Sequence, residues 1–273
     1  MNTDGVYIVT GATGGIGRAI TTALNARGYK VILACRDTAK AGRFISELDG
    51  GDTDCDILRL DLSSLASVRE AAHEVASRHC RINALINNAG TMPGKPKVTG
   101  DGYEEATQTN FIATALLSRL LAPLISPGGS VVFTTSMTRH IVRLCDDWRD
   151  RAVNRHGRFT TYGRSKLMLT HFALDFADEL KPRHIRVNCS DPGIVDSSII
   201  TMGNPVVDFL SDRLFRPFIS SPAQGVGPVM AALDSRLTGC IFTRRGARPI
   251  PESYRGDPLH TQPAAVIEAL GNT

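Results

Sequence analysis

The chain reads as an α/β protein, a Rossmann-type doubly wound sheet of about seven parallel strands with helices on both faces. Short β-branched runs alternate with longer helical periods along most of its length. A glycine cluster, Gly11, Gly15 and Gly17, falls between the first strand and the first helix. The chain has 273 residues, of which 42% are hydrophobic and 21% charged, an ordinary balance for a folded chain and a length that one sheet and one core can use. A single domain over 1–273 is therefore expected.

Strands are predicted at 6–10, 30–34, 56–60, 84–87, 130–134, 185–189 and 240–243, where branched apolar residues cluster between turn signals. Helices are predicted at 16–27, 39–48, 65–78, 104–124 and 161–180, where the apolar period lengthens to that of a helix face. Gly28, Gly50-Gly51 and Pro127-Gly128-Gly129 supply the stops. Pro192, Pro205, Pro217, Pro222 and Pro228 make the stretch after the sixth strand read as irregular, the character of a loop over a substrate. The expected substrate loops lie near 92–100, 138–158 and 201–222.

A net charge of +4 without a long basic run speaks against nucleic acid as a partner. No apolar stretch approaches the roughly 18–20 residues of a membrane-spanning helix, and the polar start Met1-Asn2-Thr3-Asp4-Gly5 leads straight into a strand. A cytoplasmic location without a signal peptide is expected. The six cysteines show no Cys-x-x-Cys pair and no histidine at metal-ligand spacing, so free thiols and no metal site are expected.

Glycines at a strand-to-helix turn let a backbone approach a pyrophosphate, whose charge then faces the helix N-terminus. Gly11, Gly15 and Gly17, with Thr13 and Ile16 between them, form such a turn. At the end of the second strand, Ala34-Cys35-Arg36-Asp37 bears on which dinucleotide binds. Arg36 can clasp a 2′-phosphate, favouring NADP(H) over NAD(H). Asp37 would instead accept from a ribose hydroxyl if Arg36 turned outward.

On these residues the chain resembles the short-chain dehydrogenase/reductase family over nearly its whole length. Further matches follow in the family's order: Asp61-Leu62, Asn87-Asn88-Ala89-Gly90, Asn110, Ser136, Tyr162-x-x-x-Lys166 and Pro192-Gly193. The resemblance implies that Asp61 and Leu62 contact the adenine. It places Asn88, Ala89 and Gly90 along the cofactor, Pro192, Gly193 and Ile194 beside the nicotinamide, and Ser197 on the carboxamide or phosphates. Two details are similar to the retinol dehydrogenase and protochlorophyllide reductase branch: Ala34-Cys35-Arg36, and the 26 positions separating Ser136 from Tyr162 (162 − 136). That branch, by resemblance, uses NADP(H) on bulky lipophilic carbonyls or alcohols. The chain is expected to lack the N-terminal anchor of many animal members, an expectation that speaks against a membrane-delivered retinoid.

The expected chemistry is hydride transfer between the nicotinamide and a small-molecule carbonyl or alcohol. An alkoxide formed by hydride transfer needs a proton, and Tyr162 is the acid placed to give it. Lys166, one helical turn on, should lower the phenol's pKa by its charge. Ser136 would donate to the substrate oxygen, and by resemblance Asn110 holds a water linking Lys166 to solvent. Tyr162 and Lys166 are also expected to touch the cofactor. His140, His156 and His171 read as solvated or packed, and Trp148 as either a pocket wall or a packing residue of the insert. The insert 138–158, with six arginines against three aspartates, reads as a solvated loop. A sharper alternative has Arg139 or Arg143 meeting an acidic group on the substrate.

Against a reductase stands a non-catalytic NADP-binding redox sensor, which would have no need of Tyr162. An epimerase or dehydratase is commoner in longer chains. The resemblance also makes the helices near 104–124 and 161–180 candidate faces of a homodimer or homotetramer.

Overall fold

Strand β1, Val6–Thr10, is the centre from which the sheet grows, with Ile8, Val9 and Thr10 sealed from solvent. The computed structural model describes residues 5–48, 53–95, 97–144, 157–193 and 222–255, with Ile267 and Leu270. Within these, β1 is followed by α1 (Gly15–Asn25), β2 (Lys30–Cys35), α2 (Thr38–Glu47), β3 (Cys55–Arg59), α3 (Leu65–Arg78) and β4 (Ile82–Asn87). A composite helical segment runs through α4 (Glu105–Thr107), a π-helical turn (Gln108–Ile112) and α5 (Ala113–Leu121). After it come β5 (Ile125–Thr134), a 3-10 turn (Met137–Ile141), α6 (Arg158–Leu180), β6 (Arg186–Ser190), α7 (Pro222–Asp234), β7 (Cys240–Thr243) and β8 (Gly246–Pro249).

The strands join in the order β3-β2-β1-β4-β5-β6-β7-β8, and all but the last pairing are parallel. The order reverses between β1 and β4, and in open sheets a ligand crevice lies at that reversal, outside the carboxyl ends of the strands. β1 pairs β2 from Val6 with Lys30 to Thr10 with Ala34, which holds the strand ends level at the crevice.

One face packs against α3, α5 and α6 through Leu116, Phe111, Phe133, Phe172 and Phe176. Phe172 stacks on Phe176 at 5.0 Å, and Phe133 meets Phe172 edge-on at 5.8 Å. Side chains of this size each contribute about 1.5–3 kcal/mol by leaving water. The opposite face packs against α1, α2 and α7, with Val9, Leu33, Ile86 and Val132 beneath Ile20, Leu24, Val229 and Met230. Near the C-terminus Tyr254 stacks on His171 of α6 at 4.2 Å, and Arg255 reaches Asp178 at 2.9 Å.

The seven predicted strands are present, and β8 adds an eighth, antiparallel one. Its sequence, Gly246-Ala247-Arg248-Pro249, has no branched apolar residue to announce it; exposed along its length, it is held by backbone pairing to β7. Helix α7 replaces the end of the expected irregular stretch. Pro222 stands at its first position, where a missing N–H costs nothing, while Val226, Val229, Ala232 and Leu233 are buried and outweigh Pro228 inside it. The expected loop 201–222 otherwise lies outside the described residues.

Candidate active site

The sheet brings four strand ends together: Thr10-Gly11 after β1, Asn87 to Gly90 after β4, Thr134 to Ser136 after β5, and Ser190 to Gly193 after β6. The predicted motifs that the structure describes sit on these ends, on the ends of β2 and β3, or on a helix facing them.

The first turn is built so tightly that only glycine fits. Gly11 has φ +64°, and a β-carbon there would come within 2.9 Å of Ala89 Cα. Asn88 Nδ2 donates to Thr10 O at 3.1 Å, and Ala89 N donates to Thr10 Oγ1 at 3.0 Å, locking the β1 and β4 turns together. Thr13 and Gly15 are partly exposed and exposed in the turn; Ile16 is half-buried against the α1 side of the core. Gly14 caps α1 without a side chain, leaving the helix N-terminus open to an anion. Such a cradle fits a dinucleotide.

Arg36 is exposed at the end of β2. Asp37 Oδ1 accepts from Lys40 N at 2.8 Å and so caps α2. Asp61 Oδ1 likewise accepts from Ser63 N at 2.9 Å and Ser63 Oγ at 2.6 Å, while the Leu62 side chain is buried in the core. These contacts shape the Asp61-Leu62 turn from within.

Asn110 lies at the middle of the π-helical turn and is wholly buried. The wider turn aims its side chain across to β4. Oδ1 accepts from Thr91 N at 2.7 Å, and Nδ2 donates to Thr91 O at 2.8 Å and Ser165 Oγ at 2.9 Å. Reading 104–124 as one helix missed this turn, because the segment is buried on nearly every side and offers no single apolar stripe whose shift in phase would show the inserted residue. Gly90 packs between this amide and Lys166: a β-carbon there would stand 3.2 Å from Asn110 Oδ1 and from Lys166 Nζ.

Lys166 is buried, and its Nζ donates to Thr134 O at 2.8 Å. Burial lowers its pKa to about 8, against a smaller raising influence of Cys189 and Asp191. Tyr162 is half-buried, with the Ser136 side chain within interacting range of its hydroxyl. Desolvation pushes the phenol up to about 12, with Ser136 opposing and Asp191 adding to the rise. The expected lowering of Tyr162 by Lys166 is thus not what this geometry gives. The ammonium points to the Thr134 carbonyl, its nitrogen 5.8 Å from the centre of the Tyr162 ring.

Ser136 is half-buried and caps the 3-10 turn, its Oγ accepting from Thr138 Oγ1 at 3.0 Å and Thr138 N at 3.3 Å. Pro192 is buried, and Gly193 turns at φ +76° with its N–H on Asp191 Oδ1 at 3.1 Å. Ile194, Ser197, Trp148 and His156 lie outside the described residues. Arg139 itself fits neither the solvated reading of the insert nor the alternative in which it meets an acidic group on the substrate. It is 5% exposed, and its Nη1 donates to Asp191 Oδ2 at 2.6 Å and to Ser136 O at 2.7 Å. This buried pair was not readable from sequence, since its members stand 52 positions apart.

The family model for short chain dehydrogenases matches residues 5–204. The chain belongs to the short-chain dehydrogenase family. Its relatives within the family are retinol dehydrogenase-like. A polyprenol dehydrogenase of Mus musculus is 32% identical over 94% of this chain and 78% of its own, and human retinol dehydrogenase 12 is 31% identical over 81% and 70%. Among solved structures, an uncharacterized protein from Mycobacterium paratuberculosis superposes with a TM-score of 0.76 at 26% identity, covering 98% of this chain and 93% of that one. A short chain dehydrogenase from Burkholderia cenocepacia in complex with NADP shares the fold at TM-score 0.70 and 22% identity, covering 88% and 96%. As a short-chain dehydrogenase the chain is an oxidoreductase that uses a nicotinamide cofactor on a small-molecule substrate. No helix among its described residues is long and apolar enough to cross a membrane.

Proposed function

We propose that this chain is an NADP(H)-dependent oxidoreductase that interconverts a medium-sized or bulky organic carbonyl and its alcohol, with Tyr162 as acid and base. The observation that carries the reading is the convergence of Ser136, Tyr162, Lys166 and Asn110 at the carboxyl ends of β4 and β5. The cofactor reading draws on the β2 end. Asp37 uses its carboxylate to cap α2, while the exposed Arg36 remains beside the turn to meet a 2′-phosphate.

A bound nicotinamide supplies or accepts the hydride. As negative charge gathers on the carbonyl oxygen, the Ser136 hydroxyl donates to it and the Tyr162 hydroxyl gives up its proton. An alkoxide is a far stronger base than even a phenolate of pKa about 12, so a protonated Tyr162 transfers its proton downhill at neutral pH. Lys166 Nζ lies 5.8 Å from the Tyr162 ring centre, and Asn110 fixes the Thr91 backbone and the Ser165 side chain near it. The named substrates of the relatives, polyprenol and retinol, are apolar alcohols and support a lipophilic substrate class. Cytoplasmic placement remains part of this proposal.

The test is consumption of NADPH and of NADH against ketones, aldehydes, quinones, steroids, retinals and polyprenals, beside Tyr162→Phe. NADPH-dependent turnover lost in the variant, with cofactor binding retained, is the expected outcome. Tight NADPH binding with no turnover in either protein would favour the redox sensor.

A further inference from the structure

We infer that Arg139 and Asp191 are a positioning pair that joins the two turns flanking the reactive centre, an inference that rests on the function proposed above. Arg139 Nη1 carries two protons and uses both: one on Asp191 Oδ2 at 2.6 Å, one on Ser136 O at 2.7 Å. Asp191 in turn takes the Gly193 N–H on Oδ1 at 3.1 Å and anchors its own N–H on Phe242 O of β7 at 2.8 Å. A continuous run of polar contacts thus connects Ser136, whose hydroxyl meets Tyr162, with the Pro192-Gly193 turn on the neighbouring strand end.

Stability alone is a poor reason for such a pair. Both residues are almost fully buried, at 5% and 7% exposure. Moving two charges out of water costs several kcal/mol each, and an apolar pair of similar volume commonly holds a fold as well. What an apolar pair cannot do is fix two turns at hydrogen-bond precision. The arrangement is also electrostatically placed. Tyr162 faces Lys166 from its own helix and Asp191 from the β6 end, with Arg139 and His140 on the 3-10 turn and the Cys189 thiol on β6 around Asp191. Arg139 balances the carboxylate that would otherwise hold the Tyr162 proton more tightly.

The experiment uses the full chain as Arg139→Met, Arg139→Lys and the double variant Arg139→Met/Asp191→Leu, beside Tyr162→Phe. Amide exchange without cofactor is read at Arg139, whose N–H donates to Ser136 O at 3.2 Å, and at Gly193. Arg139→Met is expected to speed both at least about tenfold. Its kcat should fall about ten- to a hundredfold, with KM changed less than about threefold, and the pH limb of alcohol oxidation should move upward. Arg139→Lys should recover part of kcat. The double variant should regain the melting temperature but not kcat. Unchanged exchange in Arg139→Met, or full kcat in a folded double variant, would overturn the inference. Should the wild type show no Tyr162-dependent turnover, the proposed function fails, while the exchange result still decides on the pair.

Discussion

A β-carbon on Gly17 would stand 2.1 Å from the carbonyl oxygen of Gly11, closer than any packing permits. The same β-carbon would meet Ala12 Cα and Asn88 Nδ2 at 2.9 Å, so it has no direction of escape. Gly17→Ala should therefore push the β1 turn off Ala89. NADPH binding should weaken by about a hundredfold or more and the protein should lose about 1–3 kcal/mol, as overpacked sites do. Gly14 offers the contrast, because its β-carbon would sit at an ordinary 3.4 Å from Gly11 O. Titration of NADPH by fluorescence on Gly17→Ala and Gly14→Ala checks this; equal losses in both would show that overlap is not the cause.

At the end of β2 the two neighbours divide their work. Asp37 caps α2, so Asp37→Ala should cost about 1 kcal/mol of stability and leave the choice of cofactor alone. Arg36→Ala should leave stability nearly unchanged but raise the KM for NADPH about ten- to a hundredfold, the worth of charge-assisted bonds to a phosphate. Its KM for NADH should hardly move. Kinetics with both cofactors, beside urea melts, separate the roles; a switch to NADH in Asp37→Ala would reverse them.

Much of this was legible because the signals are local. Gly11, Gly15 and Gly17 lie between a branched apolar run and a helical period, so their chemistry and placement are read together. Tyr162 and Lys166 need only the spacing of one helical turn. What stayed hidden depends on tertiary partners. The 3-10 turn buries Arg139 against an aspartate on another strand, and a charge-rich sequence gives no sign that one of its arginines goes inward. α7 forms despite Pro228 because α1 and the sheet bury its apolar side, which propensity alone opposes. The direction of the Tyr162 shift escaped for a related reason: i, i+4 spacing predicts proximity to Lys166 but not that the ammonium donates to Thr134 O.

Asn110 makes three hydrogen bonds from full burial, two to the Thr91 backbone and one to Ser165. Asn110→Ala leaves the Thr91 N–H and C=O without this partner and should cost about 2–4 kcal/mol, one buried polar group after another adding to the loss. Asn110→Asp removes only the donors and should cost more at pH 8 than at pH 5, where a protonated carboxyl can replace one of them. Denaturant melts at the two pH values distinguish the variants. Equal stability of wild type and Asn110→Ala would mean that this amide does not hold the turn.

Lys166 gives a pH dependence of definite sign. In the unfolded chain its ammonium titrates near 10.5; burial lowers it to about 8 in the fold. Below pH 8 both states are charged, and the fold bears the full cost of the buried cation. Between 8 and 10.5 the folded form has released a proton that the unfolded chain still binds, so this group makes stability rise with pH, by up to about 1.4 kcal/mol per unit. Cys189 and Tyr162 act oppositely, since burial raises them from 9.0 and 10.0 to about 12 and the unfolded chain ionises first. Comparing wild type with Lys166→Met isolates the lysine. From pH 8 upward the wild type should gain on the variant, levelling above 10.5; parallel stability curves would show that Lys166 keeps its solution pKa despite burial.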